Sequence, residues 1–402
     1  MASAFGHKEI YCRIRRRGLI SFTSIAVNKH NMNNQTIASD TTSGLSVATA
    51  VSALSTKAYT AADQDASIAA YVEQFYLVED GVGNFALENA ERREPGATSF
   101  WKMAEEFEMV EDVYDRTGDD RYKTMIGELY KGFIKIHGAD WMWNEYNDDL
   151  MWITMGCLRA YRITGDSKYY QQGKSCFDAT WARAYDTVNG GVWWKTDNLS
   201  KNACILGPTA IAAVLMYQCG AGDEYLDRAR DVFEWERKTL FHQDEENGLI
   251  NDHVLASGEV RGGALSYNQG TFIGAAHLLN IAYGTTEYEP YAVSAARFMR
   301  DHCTGQNAPG VMLNDYRMGD GDNDGGGFKG IFARWCGKWV RETGNTEILP
   351  WLQLNAQTVH DLRNTAGLSW GIWGKQTPDT PLASWECSSA VSMMQNVAAP
   401  GA

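Results

Sequence analysis

The chain has 402 residues, 44% hydrophobic and 12% aromatic, enough apolar surface for a large core. Its formal charge of −14 is uneven: residues 1–58 carry +5, which leaves −19 on the remainder. An acidic body of that size repels phosphate backbones and excludes nucleic acid as a natural partner. No run of eighteen apolar residues is present to span a membrane.

In chain order, Arg13, Arg15, Arg16 and Arg17 precede a short apolar stretch, 19–27, interrupted by Ser and Thr. Residues 28–58 are rich in Asn, Ser, Thr and Ala. Together, residues 1–58 read as a disordered leader or targeting segment, with secretion favoured over a cytoplasmic location.

From residue 59 onward, five punctuation marks recur: Thr117-Gly118-Asp119, Thr164-Gly165-Asp166, Gly220-Ala221-Gly222-Asp223, Gly284-Thr285-Thr286-Glu287 and Thr343-Gly344-Asn345. In each, Gly suits the left-handed cap of a helix that ends, and the polar residue suits the N-terminus of a helix that begins. Helices before the marks (150–163, 208–217, 271–283, 328–341) are apolar nearly all round, which demands burial on every side. Pro208 would occupy the first position of its helix. Helices after the marks, such as 223–240, are amphipathic and charged. With outer 63–77 and inner 100–116 at the front and inner 383–396 at the back, the pattern is six inner and six outer helices. Strands are few; 191–194 and 249–252 read as short hairpin pieces. The expected fold is all-α, an (α/α)6 barrel of six helical hairpins, as one catalytic domain over 59–402 and most simply a monomer.

In such a toroid the loops that lead into inner helices share one rim. Those loops carry Trp141, Trp143 and Tyr146; Trp193 and Trp194; Tyr267, Asn268 and Gln269; Asp315 and Tyr316; Trp370 and Trp373. Aromatic faces stack on sugar rings while amides and carboxylates take hydroxyls, although some of these rings will only anchor loops. One acidic pair, Asp148-Asp149, follows Asn147 where the first aromatic loop meets a helix. Asp-Asp at such a place can simply cap the helix. Beside aromatic rings it also supplies what acetal hydrolysis needs, one carboxyl to protonate the leaving oxygen and one to attack. Adjacent acids at a helix N-terminus favour the short carboxyl separation of about 5 Å used in retention. The helix end stabilises one anion, whose charge holds the proton on its neighbour.

Other chemistries find less support. The run Asp320-Gly321-Asp322-Asn323-Asp324-Gly325 imitates a calcium loop, but its twelfth position is Ile331 instead of Glu. The eight cysteines lack a C-x-x-C and the histidines lack H-E-x-x-H, so no metal is expected. Gly325-Gly326-Gly327 is not followed by a phosphate-binding Lys-Ser/Thr. Lys201, Lys238 and Lys329 read as surface or loop lysines, and no cofactor is expected.

Tyr146-Asn147-Asp148-Asp149-Leu150-Met151-Trp152, followed by 161–166, resembles glycoside hydrolase family 76, the endo-α-1,6-mannanases. So do Gly190 to Trp194 with Lys201-Asn202-Ala203, Gly207-Pro208, Tyr267 to Gly274, and Phe328 to Phe332, in order along the chain. The resemblance implies an (α/α)6 barrel and a retaining mechanism on α-1,6-linked mannan or manno-oligosaccharides. It makes Asp148 the nucleophile and Asp149 the acid/base. Trp194, Asn202, Tyr267 and Gln269 would line the sugar cleft, with Trp143, Tyr146, Asn147 and Phe328 beside them. Fungal cell-wall relatives are transglycosylases that carry a lipid-anchor tail; residues 393–402 do not read as one, so hydrolysis is preferred. A catalytically inert carbohydrate-binding barrel would be favoured by loss of either Asp, and both are present. A six-hairpin epimerase would need a rim histidine pair, which the sequence does not offer.

Overall fold

A computed structural model of the chain describes residues 57–90, 99–243, 247–306, 308–315 and 324–401. The expected leader lies outside them except for its last two residues, as do Tyr316 and positions 320–323 of the calcium-like run.

Twelve helices follow one another among the described residues. The outer ones are α1 (Ala61–Phe75), α3 (Asp120–His137), α5 (Ser167–Ala184), α7 (Asp223–Thr239), α9 (Glu289–His302) and α11 (Leu349–Asp361). The inner ones are α2 (Phe100–Thr117), α4 (Asn147–Thr164), α6 (Ala203–Gln218), α8 (Ser266–Tyr283), α10 (Gly325–Thr343) and α12 (Ser384–Asn396). Each inner helix packs on the next, and α12 returns to α2, so the inner ring is closed. Each outer helix packs against an inner partner, which completes the all-α (α/α)6 barrel.

The punctuation marks act as read. Gly118, Gly165, Gly284 and Gly344 close α2, α4, α8 and α10 with φ of 62–74°, a region that costs other residues more. Asp119 and Asp166 then accept the backbone N–H of Arg121 (2.9 Å) and Lys168 (3.0 Å) to start α3 and α5. The third mark differs: α6 ends at Gln218, and Gly222 precedes α7 at φ 131°.

Three boundaries depart from the expectation. Helix α6 begins at Ala203, so Pro208 sits inside it, in the second turn, and forfeits one backbone bond; Ala203 to Met216 are all buried, as the all-round apolar pattern requires. Helix α1 stops at Phe75, and Tyr76 enters β1 (Tyr76–Glu79), paired with β2 (Val82–Phe85). Asp80-Gly81, both at positive φ, make that hairpin turn and are its sequence signal. Residues 191–194 and 249–252 make only the isolated bridges Tyr185–Val192 and Phe241–Ile250. The sheet nearby is β3 (Ser200–Asn202), β4 (His253–Leu255) and β5 (Val260–Arg261).

The interior is not uniformly apolar. Helix α2 buries Glu105, Glu106, Glu108, Glu111 and Asp112. Arg159 of α4 meets Glu108 (3.0 Å) and Asp112 (2.8 Å), while Arg334 of α10 meets Glu105 and Asp112 (2.8 Å). Carboxylates outnumber guanidiniums here, so burial raises Glu105 to about 8 and Glu111 well above the carboxylate range. The seven described cysteines are free thiols, and none forms a disulfide. No described helix is long and apolar enough to cross a membrane.

Candidate active site

The N-termini of the inner helices gather at one rim, and α4 brings the acidic pair there. Asp148 and Asp149 occupy its first turn, behind the N-cap Tyr146. Both are half-buried: crowded by protein atoms on most sides, each keeps a face toward solvent.

Their loop is held from the outside of the barrel. Arg183 of α5 donates from Nε to Asn147 Oδ1 (2.8 Å), from Nη1 to the Met142 carbonyl (3.2 Å) and from Nη2 to the Asn144 carbonyl (3.1 Å). Asn147 also donates Nδ2 to the Trp193 carbonyl and its backbone N–H to the Trp194 carbonyl, each at 2.8 Å. The loop and the 193–195 segment are thereby locked together, with Tyr146 bridged to Lys195.

The two carboxyls sit in unequal surroundings. Burial pushes Asp148 up to about 6, restrained by the Cys204 thiol, the Trp194 indole N–H and the helix backbone N–H groups. The Trp194 N–H acts through proximity, because neither Trp194 Nε1 nor Asp148 Oδ1 has a hydrogen-bonded partner of ordinary geometry. Burial and the adjacent charge of Asp148 drive Asp149 well above the carboxylate range. Asn144 Nδ2 donates to Asp149 Oδ2 at 2.8 Å and opposes that rise, while Asp324 adds to it. At neutral pH this favours an ionised Asp148 and a protonated Asp149.

Around the pair stand the aromatic rings. Trp194 meets Tyr146 edge-on at 5.4 Å. Tyr267, in the first turn of α8, stacks on Phe328 at 3.9 Å. Trp101 lies edge-on to Trp385 at 4.7 Å and reaches Phe328 at 5.9 Å. Trp143 is 61% exposed, its indole N–H on the His137 carbonyl. Asn202, just ahead of α6, accepts from the Ser200 hydroxyl at 2.6 Å.

Three expected sugar-binding residues are placed otherwise. Gln269 is fully buried; its amide donates to the Gly248 carbonyl (2.9 Å) and accepts from the Ile250 N–H (2.8 Å), so it pins a loop instead of lining the cleft. Asn147 is fully buried, with every side-chain polar atom engaged by Arg183 and Trp193. Phe328 is 4% exposed and backs Tyr267 instead of presenting a face. Trp141 and Trp373 are buried loop anchors. Lys201 and Lys329 are not surface lysines. Lys201 pairs with Asp186 at 2.7 Å, and burial lowers Lys329 to about 7, over the Trp373 ring and beside Asn314 Oδ1.

Sequence reasoning missed four neighbours of the pair: Asn144, Arg183, Asp324 and Lys102, whose Nζ meets Asp324 at 2.6 Å. Lys102 carried a signal, a cation early in an inner helix. Arg183 carried none, being one base among several on an amphipathic helix.

The profile described as Glycosyl hydrolase family 76 matches residues 57–401. The chain belongs to glycosyl hydrolase family 76. As a family 76 glycosidase it takes a carbohydrate substrate. It is similar to the α-1,6-mannanase GH76A of Salegentibacter sp. HEL1_6, at 29% identity and a TM-score of 0.72 over 83% of this chain and 98% of that one. An inactive variant of the same mannanase, complexed with α-1,6-mannotriose, matches at 28% identity over the same shares, also with a TM-score of 0.72. The family 76 mannosidase Bt3792 of Bacteroides thetaiotaomicron VPI-5482 shares the fold at 18% identity and a TM-score of 0.66, over 83% of this chain and 96% of that one. No curated protein sequence matches the chain.

Proposed function

We propose that this family 76 chain is a retaining mannanase acting on α-1,6-linked mannose chains, with residues 59–402 as the catalytic unit. Asp148 attacks the anomeric carbon as Asp149 passes its proton to the departing glycosidic oxygen. The carbon–oxygen bond breaks and a glycosyl ester forms on Asp148. Asp149, now ionised, takes a proton from water as that water attacks the same carbon, which frees Asp148 and restores the acid. Trp143, Tyr146, Trp194, Asn202 and Tyr267 supply the stacking faces and hydroxyl contacts.

The observation that carries this reading is the unequal pair itself: two neighbouring carboxyls in one helix turn, one raised by burial only to about 6 because donors restrain it, the other driven well above the carboxylate range by burial and its neighbour's charge. Support for the linkage comes from the similar Salegentibacter mannanase, which is inactive with two consecutive aspartates changed to asparagine and then binds α-1,6-mannotriose. The test is incubation of the chain, of Asp148→Asn and of Asp149→Asn with linear α-1,6-mannan, resolving products and their initial anomeric form. We expect α-configured manno-oligosaccharides from the parent and a fall of about 10²–10⁴-fold in each folded variant. Full activity in either variant, or initial products of β configuration, refutes the assignment.

A further inference from the structure

The Asn144 amide has one possible orientation. Its Oδ1 accepts the backbone N–H of Tyr146 at 2.9 Å, and a backbone N–H can only donate. The amide therefore cannot be flipped, and its NH2 must face Asp149 Oδ2, at 2.8 Å. The rest of the residue is held as firmly: its N–H donates to the Trp141 carbonyl at 3.0 Å, and its own carbonyl receives Arg183. At 5% exposure, Asn144 has little room to turn.

An NH2 group needs an acceptor. In a neutral carboxyl the carbonyl oxygen is the better acceptor and the other oxygen carries the hydrogen. Asp149 Oδ1 takes no hydrogen bond from the described residues, yet it is not sealed from solvent as Asp148 Oδ1 is. We propose that Asn144 is a positioning residue that holds the Asp149 proton on Oδ1, the oxygen that reaches solvent. This rests on the reading of Asp149 as the acid and adds which of its two oxygens delivers the proton. Among the described residues, the remaining charges facing Asp149 are Asp148 on the same helix and Asp324 ahead of α10, the latter paired with Lys102 of α2. None of these can distinguish one oxygen from the other by donating a hydrogen bond to it as Asn144 does.

Two variants separate this role from loop support. Asn144→Ala removes both of the amide's bonds. Asn144→Asp keeps an acceptor for the Tyr146 N–H but removes the donor toward Asp149. Each is assayed on linear α-1,6-mannan and on the 2,4-dinitrophenyl glycoside of α-1,6-mannobiose, whose leaving group departs without a proton. We expect both variants to lose about 10–10²-fold on mannan and at least about tenfold less on the dinitrophenyl substrate. Because the amide favours the ionised carboxyl, its loss should also move the alkaline limb of kcat/KM to higher pH. Equal losses on the two substrates, an unmoved limb, or full activity of Asn144→Asp on mannan overturns the proposal. Asp149→Asn is run in parallel. If it too shows no dependence on the leaving group, the acid assignment falls together with the proposal. If it shows that dependence and the Asn144 variants do not, only the role of Asn144 falls.

Discussion

Arg183 offers the most direct test of how the barrel wall supports the acids. Its guanidinium reaches Asn147 Oδ1, the Met142 carbonyl and the Asn144 carbonyl. In Arg183→Ala the fully buried Asn147 Oδ1 loses its donor, worth about 1–3 kcal/mol for an unsatisfied buried acceptor. The Met142 and Asn144 carbonyls each lose a hydrogen bond with a net worth of about 0.5 kcal/mol. The sum is about 3 kcal/mol. An unfolding entropy of about 2.1 cal/mol/K per residue over residues 57–401 gives about 0.7 kcal/mol/K, so Tm should fall by about 4 °C. Activity should fall further than stability. Asn144 and Asn147 would no longer be fixed to α5, and misplacement of a catalytic group by about 1 Å costs about 10²-fold. We expect kcat/KM on linear α-1,6-mannan to drop by about 10–10²-fold with little change in circular dichroism. Arg183→Lys should recover little of it, since one ammonium cannot reproduce the fork that grips three acceptors. An Arg183→Ala protein with parental Tm and kcat/KM would refute this account of the loop.

The pH–rate profile should be bell-shaped. Activity needs Asp148 ionised, so kcat/KM falls as pH drops through about 6; it needs Asp149 protonated, so it falls again on the alkaline side. A flat profile from pH 5 to 7 would contradict that reading. Glu105 makes the opposite kind of contribution, to stability. Burial raises its folded pKa from 4.5 to about 8, so the folded state holds the extra proton, and the associated stability is full below about 4.5 and lost as pH rises through about 8. Glu105→Gln should flatten the decline of the urea midpoint between pH 5 and 9, and parallel declines would count against it. Two glycines should separate crowding from strain. A Cβ at Gly327 would lie 2.1 Å from the buried Trp385 ring, and one at Gly165 would meet nothing within 4 Å but would sit at φ 74°. By urea denaturation Gly327→Ala should cost about 3 kcal/mol and Gly165→Ala about 1 kcal/mol; the reverse order would refute the packing argument.

The helix rhythm was legible because it rests on local rules: a left-handed glycine and a polar cap are both needed where one helix turns into the next. Asp148 and Asp149 were legible for the same reason, two acids where an apolar helix begins. Gln269 and Asn147 misled because an amide beside aromatic residues suits a loop clamp and a sugar contact equally, and only burial separates the two. Asn144 and Arg183 escaped notice because their role depends on a partner 5 residues away in one case and 36 in the other. The β1–β2 hairpin was missed although Asp80-Gly81 announces it. Helix α2 shows the limit of reading burial from hydrophobicity. It is among the most acidic helices and lies at the centre, because Arg159 and Arg334 arrive from helices far along the chain.

Tyr59 donates its hydroxyl to the Ala398 carbonyl at 3.0 Å, and Gln64 bonds the Val397 carbonyl at 2.8 Å. The first described helix and the residue before its cap are thus sewn to the segment that follows the last described helix, across more than 330 residues. During synthesis the flanks of α2 and α10 that α12 covers stay wet until that last helix leaves the ribosome. Loss of that one late segment would do more than shorten the protein, because it would leave a crescent with two raw edges in place of a circle.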